Sequence, residues 1–196
     1  MRLFLCGDVM TGRGVDQILP VPVDPGIPER HCSSALDYVQ LAERVSGPLP
    51  RRVDPAYVWG DLLDELAARA PDLRIANLET AVTARGTPEP KGIAYRMHPA
   101  NADVLAAVGL DCAVLANNHV LDWGAEGLLD TLAALRGEGI ATAGAGASAA
   151  EAAAPAVLAA PEGRLLVFAY AMPSAGVPDH WAATPARPGI NHLPDL

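Results

Sequence analysis

Three apolar runs in this 196-residue chain end on side chains that can bind a cation or move a proton. Residues 2–6 lead into Gly7-Asp8, Leu73 to Leu78 leads into Glu79, and Asp111 to Ala116 leads into Asn117-Asn118-His119. Asp8 alone reads equally well as a metal ligand or as a helix cap. Glu is a poor cap, so Glu79 is harder to explain by local structure. Asn-Asn-His after a buried strand also suits a turn, because Asn tolerates left-handed backbone. Together they form a hard ligand set of carboxylates and an amide, which suits Mg, Mn, Fe or Zn better than a thiolate-type structural zinc. Two divalent metal ions bridged by a carboxylate would activate a water and stabilise charge in a displacement. His119 would protonate a leaving group, and Asp122 would either orient that imidazole or cap the helix that follows.

Such a rim needs strands that end side by side. Residues 2–6, 73–78 and 111–116 read as buried strands, and 140–143 as a shorter one. Helical spacing covers 34–45, 56–70 (stopped by Pro71), 101–108 and 125–138, with a brief helix near 148–153. Strands alternating with helices predict an α/β fold with a mostly parallel sheet, whose ligands sit beyond the carboxyl ends of the strands. The runs 155–160 and 164–171 predict two antiparallel strands across Pro161–Gly163. Prolines make 20–30 irregular, and the same reading extends over 173–196, leaving 1–172 as the domain proper.

Composition narrows the function classes. The net charge of −9 and the lack of a basic stretch argue against nucleic acid as a partner. Cys6, Cys32 and Cys112 form no Cys-x-x-Cys pair, and Cys6 and Cys112 read as small buried hydrophobes. No apolar run reaches the ~20 residues of a membrane span, and the N-terminal run is too short for a signal peptide, so a cytoplasmic location is expected. Gly144-Ala145-Gly146 lacks the partners of a nucleotide loop, and no nucleophile elbow surrounds Ser148 or Ser174. Trp59 and Trp123 read as packing residues.

The ordered motifs resemble the CapA family of poly-γ-glutamate capsule synthesis proteins. They are Gly7-Asp8-Val9-Met10-Thr11-Gly12-Arg13, Asn77-Leu78-Glu79-Thr80, Lys91 to Pro99, Asn117 to Gly124, Thr131-Leu132 and Gly144-Ala145-Gly146. The resemblance implies a layered αββα sandwich like that of calcineurin-like metallophosphoesterases, with a dinuclear metal site. It implies Asp8, Glu79 (bridging) and Asn118 as metal ligands, His119 as catalytic acid with Asp122, and Arg13, Lys91, Arg96 and His98 toward an anionic polymer or phosphoester. Other capsule-synthesis proteins would be partners. Met10 stands where metallophosphoesterases carry the His of Asp-x-His, and the family's closing His-rich motifs have no counterpart, so a C-terminally truncated chain is expected. A non-catalytic subunit that holds or exports a polyanion is the alternative reading.

Overall fold

A computed structural model describes residues 1–194. In chain order the elements are β1 (Leu3–Val9), α1 (Arg13–Asp16), β2 (Gly26–Glu29), β3 (Cys32–Ser34), α2 (Ala35–Ser46), α3 (Leu62–Arg69) and β4 (Leu73–Leu78). Next come β5 (Ala81–Val82), β6 (Arg96–Met97), α4 (Asp103–Ala107), β7 (Cys112–Val114), α5 (Gly124–Gly137), β8 (Ala141–Ala143) and β9 (Ala145–Gly146). The chain closes with α6 (Ala149–Ala153), β10 (Ala156–Ala160), β11 (Gly163–Val167) and β12 (Gly189–Ile190). The central sheet runs β1-β4-β7-β8 with every pair parallel, as the alternation of strands and helices predicts.

The two faces of this sheet are covered differently. On one face Ala76, Leu78 and Ala113 join Leu128, Leu132 and Leu135 of α5 and Val104 and Leu105 of α4 in the main core. On the other, Leu73, Ile75, Cys112 and Ala143 pack against Ala156 and Leu158 of the β10–β11 hairpin. A sheet thus lies between helices and a second, two-stranded antiparallel layer. The outer side of that hairpin and the segment after it leave Val157, Leu166, Phe168 and Tyr170 exposed.

Some segments differ from the sequence expectation. Gly60, at φ 51°, splits the 56–70 helix into a 3-10 turn at Pro55–Trp59 and α3. The proline-rich 20–30 stretch contains β2, which carries Pro28 in a two-stranded ladder with β3. Such a pair tolerates a proline that a central strand would not. The segment from 173 is ordered by long-range pairing rather than by periodicity. There β12 pairs with β9, Ala171 bridges His192, and Val177, Trp181 and Ile190 are buried. Residues 195 and 196 of that stretch lie outside the described residues. Cys112 is fully buried, and burial pushes its thiol up to about 11; Cys6 is only half-buried.

Candidate functional site

Asp8 reaches the rim through a β-bulge. Phe4 and Cys6 pack toward the helical core, and strict alternation would send residue 8 there as well. The register slips between Cys6 and Asp8, so Val9 enters that core and Asp8 pairs with Asn77 of β4 instead. The Asn77 amide donates to Asp8 Oδ1 at 2.7 Å. That donor, joined by a hydrogen bond from Glu79, holds the Asp8 carboxyl below its ordinary range. Burial, with Asp8 adding to it, lifts Glu79 above its ordinary range.

The third strand end supplies the imidazole. Asn117 donates to Asn77 Oδ1 at 3.0 Å and to the Leu78 carbonyl at 2.9 Å, tying the turn after β7 to the end of β4. Its own Oδ1 accepts from the backbone N–H groups of His119 and Val120, both at 3.0 Å. The turn so fixed buries His119, with Nδ1 2.6 Å from Asp122 Oδ2 and Nε2 3.6 Å from Glu79 Oε1. Asp122 is not a helix cap. Trp123 takes the N-cap position of α5 without a side-chain bond, while the fully buried Asp122 also accepts from the Tyr95 N–H at 2.6 Å and from Lys91 Nζ at 2.7 Å. Asp122, His119, Glu79 and Asp8 therefore stand in one row across three strand ends.

The remaining expected residues are placed less uniformly. The Asn118 side chain lies beside Gly176. Lys91 donates to Asp122 and to the Asn118 carbonyl and lies 5.2 Å from the Trp181 ring centroid. Arg13 is paired with Glu29 at 2.6 Å and lies over the rings of Tyr38 and Tyr95. Arg96 stacks on the buried Trp123 at 3.8 Å and donates to the Asp24 carbonyl, and burial lowers its guanidinium pKa from the ordinary value. His98 caps the 3-10 turn Pro99–Asn101 by accepting from the Ala100 N–H. Sequence reading gave no role to Asn77, Asn117 or Tyr95. A polar residue near the end of a buried strand was the available signal for Asn77.

As a ligand set for divalent cations, these residues are partial. Asp8 and Glu79 present two carboxylates at the ends of the adjacent strands β1 and β4. Among the described residues no three His, Cys, Asp or Glu side chains converge as a ligand group. Asp8 and Glu79 alone supply two carboxylate ligands, fewer than a divalent cation ordinarily takes. Among the described residues no helix is long and apolar enough to cross a membrane.

The model of the family described as "Bacterial capsule synthesis protein PGA_cap" matches residues 2–196. Two Mycobacterium tuberculosis proteins, from strains CDC 1551 and H37Rv, are each named "Probable polyglutamine synthesis accessory protein". Each is 48% identical over 192 residues, covering 97% of this chain and 50% of the relative. An uncharacterized protein of Sinorhizobium fredii is 37% identical over 134 residues, covering 64% of this chain and 29% of its own length. The chain spans about half the length of the mycobacterial relatives it matches.

Proposed function

The chain belongs to the family of bacterial capsule synthesis proteins, and we propose that its rim is the acid–base part of a metal-dependent, phosphoesterase-type hydrolase site serving polyglutamate capsule synthesis. The observation that carries this reading is the buried Asp122–His119 pair aimed at the Glu79–Asp8 carboxylates. Asp122 accepts the Nδ1 proton of His119 and so leaves Nε2 as the nitrogen that gives or takes a proton on the open side. Lys91 and the Tyr95 N–H fix Asp122 in orientation. A divalent cation bound by Asp8 and Glu79 would supply charge neutralisation and a water acidic enough to attack near neutral pH. An anionic polymer or phosphoester is the substrate class, and other capsule-synthesis proteins are the partners.

A purely polyanion-holding subunit is less well supported. Arg13 and Lys91 are each committed to a carboxylate, and Arg96 is half-buried against Trp123. The cations near the rim are thus largely spent on the protein itself.

The experiment uses protein expressed from its complete gene. Elemental analysis should find bound divalent metal, reduced in Asp8→Ala, and hydrolysis of a generic phosphoester should be lost in both Asp8→Ala and His119→Ala. Wild-type protein without metal, together with mutants that still support polymer production, would overturn the enzyme reading.

A further inference from the structure

Arg13, flanked by Gly12 and Gly14, is the first residue of α1 just after β1, where the family resemblance implies a substrate-binding cation. The geometry points to another task. We propose that Arg13 and Tyr95 form an aromatic clamp that fixes the plane of the His119 imidazole, so that Arg13 is a positioning residue and not a substrate ligand. The inference rests on the reading of His119 as the acid–base group.

The clamp is a continuous stack. The rings of Tyr95 and His119 lie with centroids 3.9 Å apart and planes 18° apart. The Arg13 guanidinium carbon sits 4.5 Å from the Tyr95 centroid and 4.8 Å from that of Tyr38, within the range of cation–π attraction. Glu29 closes the assembly, pairing with Arg13 Nε at 2.6 Å and accepting from the Tyr38 hydroxyl at 2.6 Å. Burying a guanidinium between two rings is tolerable only with such a counter-charge.

The hydrogen bond to Asp122 fixes where His119 Nδ1 points but leaves the ring free to pivot about that bond. A flat partner against its face removes that freedom and holds Nε2 toward Glu79. The backbone at Arg13, φ 50°, lies in the left-handed region that side-chain-bearing residues rarely adopt. A conformation of that kind is retained where the placement of the side chain matters. Glycine on either side eases the approach: a Cβ on Gly12 would stand 2.6 Å from the Arg96 carbonyl oxygen, and one on Gly14 would stand 3.0 Å from Tyr38 Cβ.

The main test is spectroscopic and independent of turnover. In histidine-labelled protein from the complete gene, the His119 ring protons, assigned by their loss in His119→Gln, should lie upfield of the range of unstacked histidine rings. They should move downfield in Tyr95→Leu and stay in place in Tyr95→Phe. The Tyr95 N–H bond to Asp122 is a backbone contact and remains in both variants. A wild-type His119 signal at an unstacked position, or one that ignores Tyr95→Leu, would overturn the clamp. Turnover gives the second arm: Arg13→Gln should lower kcat about tenfold with KM within about twofold, the pattern of a lost transition-state geometry. A raised KM with kcat kept would make Arg13 a substrate ligand and refute the proposal. If the wild type hydrolyses nothing, the hydrolase reading fails while the ring shifts still decide the clamp.

Discussion

Two aspartates, Asp16 and Asp122, are each 0% exposed and each accept three hydrogen bonds, yet they serve different ends. Asp16 takes the N–H groups of Val23 (2.7 Å) and His98 (2.9 Å) and the Asn101 amide (2.9 Å), all neutral donors. It ties the loop after α1 to the turn before α4, and none of these three donors is a strand-end ligand. Burial dominates and raises its pKa. Asp122 takes one backbone N–H but also a lysine ammonium and an imidazole, and that imidazole looks out onto two more carboxylates. A buried carboxylate with neutral donors closes a loop. In the proposed site the same carboxylate, bonded to an imidazole on the sheet's carboxyl-end rim, would pass its orientation on to a reacting atom.

The largest expected effect separates the two by function. Asp122→Asn should reduce phosphoester turnover by about 10²–10⁴-fold, because the amide offers His119 the wrong hydrogen-bond partner for its tautomer. Asp16→Asn should leave turnover per folded molecule near wild type. Stability should separate them the other way. Asp16→Ala leaves three buried donors unpaired and should cost about 3 kcal/mol in urea unfolding. A cost below about 1 kcal/mol would show that water replaces the carboxylate and that Asp16 is no clamp.

Acidification sharpens the contrast further. The folded pKa of Asp16 lies above the ordinary value of 3.8, so the native state keeps a proton that the unfolded chain has released. Its penalty to folding therefore grows as pH rises from 3.8 through the folded value and is relieved below. Wild type should gain stability relative to Asp16→Asn across that fall in pH. Asp130 should do the reverse. The Arg85 guanidinium holds it below 3.8, so the stability it contributes is present above 3.8 and is lost as pH falls through the folded value. Parallel urea titrations of Asp16→Asn and Asp130→Asn over this range should diverge in sign.

Sequence made one half of this comparison legible and hid the other. The strand Leu73–Leu78 and the leucine face of α5 follow from local periodicity, which is why their bounds are recovered within a residue. Glu79, Asn118 and His119 are visible because each follows such a run. Asp16 is hidden because its partners lie 7 to 85 residues away in irregular loops. Asp122 is ambiguous in sequence because cap and orienting residue occupy the same position before a helix, and only the contacts to His119, Lys91 and Tyr95 decide. The bulge that turns Asp8 out and Val9 in has no signature beyond Gly7. The buried Trp181 and Ile190 depend on the pairing of β12 with β9, which no local pattern announces.

The smallest expected effect concerns Lys91. Its ammonium is engaged by Asp122 and the Asn118 carbonyl, so Lys91→Met should lower kcat by less than about tenfold with little change in KM. A large rise in KM would instead make it a substrate cation and shift Asp122 toward the structural role of Asp16.

The central claim, that the row Asp122–His119–Glu79–Asp8 is a working hydrolytic site, is tested most directly by phosphoester turnover. Protein from the complete gene, wild type and His119→Ala, would be compared with added divalent metal after both are shown to be folded. The account predicts turnover in the wild type and a fall of about 10²-fold or more in the variant; equal turnover in the two proteins would contradict it.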